Sequence, residues 1–437
     1  HYPLRRQRQM CIRDRFLLGL LCVVSFSMSA NLQADQKISQ QDQHLGVNSC
    51  GGSMCHGRQH STGDVVYQNE IAIWQSSHSY LGAHHRAYQV LNGALGKAIT
   101  RNMGWEDASK RAECLGCHTD FVAESDQGLY YQITDGVSCE SCHGGSERWL
   151  KLHYDASWDA SRHADMGYVD LSNVNLRAQV CLDCHLGSNN GNQFVTHEMM
   201  SAGHPRLAFE LSIFEDLQAH YEVDQSEQGQ DIDVMTAQVW ALGQITAAER
   251  YLDLVLHREV GAALVPELSL FDCRACHQDF ADAGAVFDSV QGRDKGRKIG
   301  QIVLSDYNIR FASLIELSLG LDNRPQIADL LSQMNKAIAL SRASFRETAG
   351  KLRTGLMQLK SHVNESSVEA EAIRQMRAKI FTSDSLVQDY AGAEQVYFAL
   401  LALGVDSEVV NRFLSDQIAE PSKFSHRAFR EALIELE

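Results

Sequence analysis

Over much of the second half of this chain, apolar residues recur at steps of three and four, the spacing that lines up one face of an α-helix. Ala241, Ile245, Ala248, Leu252 and Val255 form one such stripe and predict a helix from about Val234 to His257. The pattern returns in Ile327, Leu331, Met334 and Ile338, in Phe345, Ala349, Leu352, Leu356, Leu359 and Val363, and in Tyr390, Ala393, Tyr397 and Leu400. Turn formers at Asp322-Asn-Arg-Pro325 and Asn364-Glu-Ser-Ser367 separate these runs, which predicts an antiparallel bundle of roughly four helices. Leu207, Leu211, Phe214 and Gln218 also share a face, with Pro205 suited to the first turn of a helix reaching about Tyr221. Upstream the periodicity weakens: Glu70 to Ala98 reads as helical in parts, and residues 35–60 are polar and glycine-containing. Residues 222–233 are acidic, glutamine-rich and almost free of apolar side chains, so they read as a linker. The expectation is a mainly α chain, with a loop-rich part at 35–285 followed by a helical bundle at 286–437.

The apolar stretch Phe16 to Met28 breaks this texture. It follows Arg13 and Arg15, ends in small residues and is too short to span a membrane comfortably, so it reads as an export signal with cleavage after Ala30 or Ala34. Residues 1–15 look adapter-like and are set aside with it. No other apolar run reaches about 18 residues, so the mature chain is expected to have no transmembrane span. The expected location is periplasmic or extracellular. The formal charge of −16 becomes −20 without residues 1–30, which hold five Arg and one Asp. Such a surface argues against nucleic acid and anionic membrane as partners and favours a basic docking partner or plain solubility.

Cysteine placement changes the picture most. Of 12 Cys, two (Cys11 and Cys22) lie near the start, and the other ten form pairs, each followed directly by histidine. Four pairs have the short spacing: Cys114-Leu-Gly-Cys117-His118, Cys139-Glu-Ser-Cys142-His143, Cys181-Leu-Asp-Cys184-His185 and Cys273-Arg-Ala-Cys276-His277. The fifth has a longer spacer, Cys50-Gly-Gly-Ser-Met-Cys55-His56, for which a plain Cys50–Cys55 disulfide is the rival reading. Two thiols and an adjoining imidazole make the c-type haem attachment pattern, in which the sulfurs bond to the vinyl groups and the histidine ligates the iron. Zinc sites and redox disulfides also use paired cysteines, but neither requires histidine at the next position. With 19 His in 437 residues, five coincidences would arise on the order of once in ten million. The expected cofactors are five covalently bound haem c groups.

Two further tracts carry a resemblance. Trp74-Gln-Ser-Ser-His78 upstream of the motifs, and Gly136-Val-Ser-Cys-Glu-Ser-Cys-His-Gly-Gly145, resemble the multihaem cytochromes related to the tetrahaem electron acceptor of hydroxylamine oxidoreductase. The resemblance covers about residues 45–205 and implies electron transfer, with His78 as a distal haem ligand. The chain departs from that family in its fifth motif and its long C-terminal extension. The tract Gly203-His-Pro-Arg-Leu-Ala-Phe-Glu-Leu211 also resembles one found in multihaem cytochromes.

Whether a haem can bind substrate depends on its second axial position, because an iron held by two histidines is saturated and only passes electrons. Thirteen histidines remain outside the motifs after residue 30. His78 and His204 rank first as distal ligands, then His153 and His85, then His197, with His60, His84 and His163 in reserve. Met54, Met199 and Met200 are alternatives. The Cys-x-x-Cys-Lys motif that marks the catalytic haem of pentahaem nitrite reductases is absent. The reading therefore favours an electron carrier working between redox partner proteins. A multihaem oxidoreductase acting on a small nitrogen or sulfur compound, and a cytochrome-assembly subunit joined through the bundle as an oligomer, stand as alternatives.

Overall fold

Helix after helix is laid down by the apolar stripes. A computed structural model describes residues 42–62, 66–155, 158–190, 192–219, 232–258, 267–273, 276–277, 304–321, 326–338, 340–387 and 389–437. The apolar stretch read as an export signal, with Cys11 and Cys22, the expected linker at 222–231 and the expected turn at 322–325 lie outside them. Residues 43–437 form one compact unit. In the first half the helices are short: α1 (Glu70–Trp74), α2 (Ala87–Leu91), α3 (Ala94–Asn102), α4 (Ala112–His118), α5 (Cys139–His143), α6 (Ala160–His163), α7 (Val174–His185), α8 (His197–Ser201) and α9 (Leu211–Asp216). Then follow α10 (Ile232–His257), α11 (Tyr307–Ser318), α12 (Ile327–Ile338), α13 (Arg342–Glu365), α14 (Ala370–Thr382), α15 (Tyr390–Ala402), α16 (Ser407–Leu414) and α17 (His426–Leu436). Extended pairing among the described residues is limited to the isolated bridges His44 with Gln127 and Phe271 with Leu304. The protein is mainly α, as its periodicity predicts.

Helix α10 is the central strut. Its stripe of Ala241, Ile245, Ala248, Leu252 and Val255 is fully buried, and so is Trp240, edge-on to Phe311 of α11 at 6.0 Å between ring centres. One side of α10 meets α7, whose Ala178 and Leu182 pack in a cluster with Leu211 and Ala247. Its other sides meet α11, α13 and α15. A buried amide chain crosses this core: Asn308 donates to Gln244 (2.9 Å), Gln244 to Gln395 (2.9 Å), and Gln395 to the Phe209 carbonyl (3.0 Å). Each link satisfies a polar group that burial would otherwise leave costly. Replacing Trp240 by alanine should lower unfolding free energy by about 3–5 kcal/mol. Denaturant titration checks this, and an unchanged midpoint would deny α10 its central role.

Two elements differ from the periodic pattern. The helix expected from Pro205 begins only at Leu211, because the buried Glu210 carboxylate accepts from the Ser212 and Ile213 backbone N–H groups and caps it there. Residues 204–210 are irregular instead. The described residues of the C-terminal part hold seven helices where about four were expected. Helix α11 escaped the pattern because it is buried nearly all round, which erases the stripe. Helices α16 and α17 are short and carry few core residues each.

Candidate haem-binding site

An α-helix advances 3.6 residues per turn, so cysteines three apart sit one turn apart on one side with the following histidine beside them. Three motifs use this. Helix α4 carries Cys114, Cys117 and His118, α5 is built of Cys139 to His143, and α7 ends in Cys181, Cys184 and His185. The Cys50 motif forms turns, with His56 N–H donating to the Cys50 carbonyl, and the last motif forms a turn in which His277 N–H donates to the Cys273 carbonyl (2.8 Å). Cys50 and Cys55 are not disulfide-bonded; Cys50 is buried and Cys55 exposed.

Tertiary structure brings motif histidines up to distant ones. His56 faces His153 with ring centres 6.2 Å apart, His118 faces His204 at 6.4 Å, His185 faces His84 at 6.2 Å, and His277 faces His197 at 6.2 Å. A ring nitrogen bound to a first-row metal lies about 2 Å from it, so two imidazoles sharing one metal have ring centres about 6 Å apart. The fifth motif histidine, His143, lies beside Tyr168 (5.8 Å), which is edge-on to Trp149, Trp158 and His163.

The second ring nitrogen is also held. Nδ1–H of His56 donates to Glu70 (3.0 Å), that of His118 to the Ala87 carbonyl (2.8 Å), that of His153 to the Leu150 carbonyl (2.7 Å) and that of His204 to the Pro205 carbonyl (2.7 Å). Such a bond fixes the tautomer that leaves Nε2 as a ligand. Burial lowers the pKa of His118 and His153, and with His84 it takes His185 down to about 4, so these rings stay neutral, the form that binds metal. Burial raises the thiols of Cys114 and Cys181 to about 11 and that of Cys142 to about 12.

Histidines ranked from sequence alone are distributed unevenly. His204, His153 and His197 each meet a motif histidine. His78 lies on an exposed bend and meets none among the described residues, and His60 is exposed. His85 packs on Trp74 (4.4 Å), with Nδ1–H donating to the Asp135 carbonyl (3.2 Å), while its neighbour His84 reaches His185. Both residues are pressed by Gly136, at φ 77°, where a Cβ would lie 2.5 Å from their carbonyl oxygens. The tandem His84-His85 was visible in the sequence, but nothing there distinguished His84 from His85.

The motifs are also brought together. The thiols of Cys50 and Cys139 are hydrogen-bonding neighbours, as are those of Cys117 and Cys184, and Cys142 lies within electrostatic reach of Cys181 and Cys184. Asp183, inside the third short motif, is ion-paired to Arg250 of α10. His197 N–H donates to Glu267 (2.9 Å), which also caps the turn leading to Cys273. The segment after His204 is tied to α15, through Arg206 to Glu394 (2.6 Å) and the amide of Gln395. Buried Glu140 accepts from the N–H groups of Leu45 (2.8 Å), Gly46 (2.7 Å) and Ser146 (2.8 Å) and from the Ser146 hydroxyl, clamping the segment before Cys50 onto α5. His44, Asp120 and Glu140 gather within 4.8 Å, but His44 Nδ1–H and the Ser138 hydroxyl donate to Asp120, so the group reads as a buried tie and not a metal centre.

Among the described residues no helix is long and apolar enough to cross a membrane. Residues 49–144, the span of the first three motifs, match the family model described as cytochrome c554 and c-prime. No curated protein and no solved structure matches the chain. The match supports a c-type cytochrome with covalently bound haem c, working in electron transfer with redox partners.

Proposed function

We propose that this c-type cytochrome is exported, holds five haems and relays electrons between redox partners. The ten motif cysteines would hold the haems, with His56, His118, His143, His185 and His277 as proximal ligands. His153, His204, His84 and His197 would complete four of the irons. The observation that carries this reading is the set of four imidazole pairs at 6.2–6.4 Å. Bound haem supplies one-electron exchange at iron, and a second histidine on four of the irons would keep small molecules off those four, whereas His143 faces Tyr168. The chain's part is to fix the pairs, exclude water and pack the motifs side by side. Their adjacency, Cys50 to Cys139, Cys142 to Cys181 and Cys184 to Cys117, is the continuity that a relay needs. His197 and His204 lie on one short segment, which adds the last motif to the row. Cys55, Cys273 and Cys276 are exposed, whereas the cysteines of the other three motifs are partly buried, so both ends stay open to partners. Helix α15 braces the haem-bearing part through Glu394, paired with Arg206, and through Gln395.

A pyridine haemochrome assay should give five haems per chain; four would remove the Cys50 site. Electron paramagnetic resonance of the oxidised protein should be dominated by low-spin signals. A high-spin ferric signal that shifts with nitrite or hydroxylamine would sink the pure-carrier reading.

A further inference from the structure

Two of the imidazole pairs are held differently at their second nitrogens. His118 and His204, which face each other, both donate Nδ1–H to backbone carbonyls, which carry no net charge. In the pair of His56 and His153 the distal ring also donates to a carbonyl, that of Leu150, but His56 donates to Glu70 Oε2 at 3.0 Å. The contact is sheltered, with the Glu70 side chain 13% exposed and that of His56 31%. Backbone bonds fix it on both sides. Ile71 N–H donates to the His56 carbonyl (3.2 Å) and Arg58 N–H to the Gln68 carbonyl (2.9 Å), which ties the motif to the start of α1. Gln68 N–H donates to the other carboxylate oxygen, Glu70 Oε1 (2.9 Å). Gln68 stands at φ 61°, the one non-glycine residue in the left-handed region among the described residues. A backbone held in that region against its preference marks a place where the fold presents a particular group. Here that group is the Glu70 carboxylate, aimed at His56.

A carboxylate that accepts from a ligating imidazole makes the ring a more basic ligand. It also brings a negative charge close to the iron. Both effects favour the ferric ion, which carries one positive charge more than the ferrous, so both lower the potential. A carbonyl in the same place does much less, because it brings a dipole and no charge. His163 also bonds a carboxylate, Asp170 (3.2 Å), but its ring packs on Tyr168 and Trp158, and it meets no motif histidine among the described residues.

We infer that Glu70 is a positioning residue that holds the iron of His56 at a lower potential than the iron of His118, which makes the Cys50 end the side where electrons enter the row. The inference rests on the relay reading above and gives that relay a direction. A reduced redox partner loses one electron, and each iron that gains it passes it on, so no further reactant is needed. Spectroelectrochemical titration of the full haem-loaded chain tests this. His153→Gly, which turns the His56 iron high spin, marks the step that belongs to that iron, and His204→Gly marks the step of the His118 iron. Glu70→Gln keeps one acceptor oxygen for Nδ1–H and removes the charge. The His56 step should therefore move to higher potential, while the His118 step, the haem count and the low-spin signals stay as they are. Glu124→Gln removes an exposed charge elsewhere and should move neither step. Should Glu70→Gln be underloaded with haem, Glu70→Asp reads the same step, which should again rise, by less. A His56 step that stays in place would overturn the inference, as would an equal shift of all steps. In the unaltered chain, a His56 step above the His118 step would overturn it too. None of these outcomes alters the haem count or spin state of the unaltered chain, on which the relay reading stands or falls.

Discussion

Replacing His204 by glycine should convert one haem of the set from low spin to high spin. The imidazole stands 6.4 Å from that of His118, ring centre to ring centre, and its Nδ1–H is fixed on the Pro205 carbonyl. Loss of an axial ligand also shifts a potential strongly, since axial identity spans about 0.8 V across haem proteins. A shift of tenths of a volt in one step of a redox titration is therefore expected. His78→Gly, at an exposed bend, should leave both the spectrum and the titration unchanged. If the two variants behaved oppositely, the pairing of His118 with His204 would fall and the ranking of His78 by resemblance would stand. Fold effects are separable, because the segment after His204 is anchored by Arg206 to Glu394 and by Gln395 to the Phe209 carbonyl, while the imidazole bonds only the adjoining Pro205 carbonyl.

The second large effect belongs to Glu140. Its carboxylate is 2% exposed and accepts from three backbone N–H groups and one hydroxyl. Glu140→Ala would leave four donors, three of them buried, without an acceptor, at a cost of about 3–5 kcal/mol. The segment 43–49 would lose its clamp, so haem at the Cys50 motif should be underloaded. Urea denaturation and haem-to-protein ratio measure the two consequences. Wild-type stability together with full loading would show that Glu140 is incidental. Glu140→Gln should recover only part of the loss, because an amide keeps one acceptor oxygen and turns a donor toward N–H groups.

The candidate attachment motifs are visible in the sequence because the chemistry they imply is local: two thiols and an imidazole must be neighbours in sequence to meet one porphyrin edge and its iron. The helical stripes were equally legible, since Ile245 or Leu352 reports its buried face through the residues one turn away. Distal partners carry no such mark. His204 lies 86 residues from His118, and His84 lies 101 residues from His185, so only the path of the chain decides which ring arrives. His84 and His85 are adjacent and chemically identical, yet the turn held against Gly136 sends one to His185 and the other onto Trp74.

Polar ties were hidden for the same reason. Glu140 reads as an ordinary spacer inside a motif until the backbone of Leu45 and Gly46 is folded over it. Gln244 and Gln395 carry no mark in the sequence until Gln244 meets both Gln395 and Asn308 in the core. By itself, then, the sequence determined that the chain is mainly helical and displayed the paired cysteines with their adjoining histidines, because both depend on neighbours within a turn or two. Tertiary structure alone decided which histidines face which, how the motifs line up and what the bundle braces, because those depend on contacts between residues that chain connectivity leaves far apart.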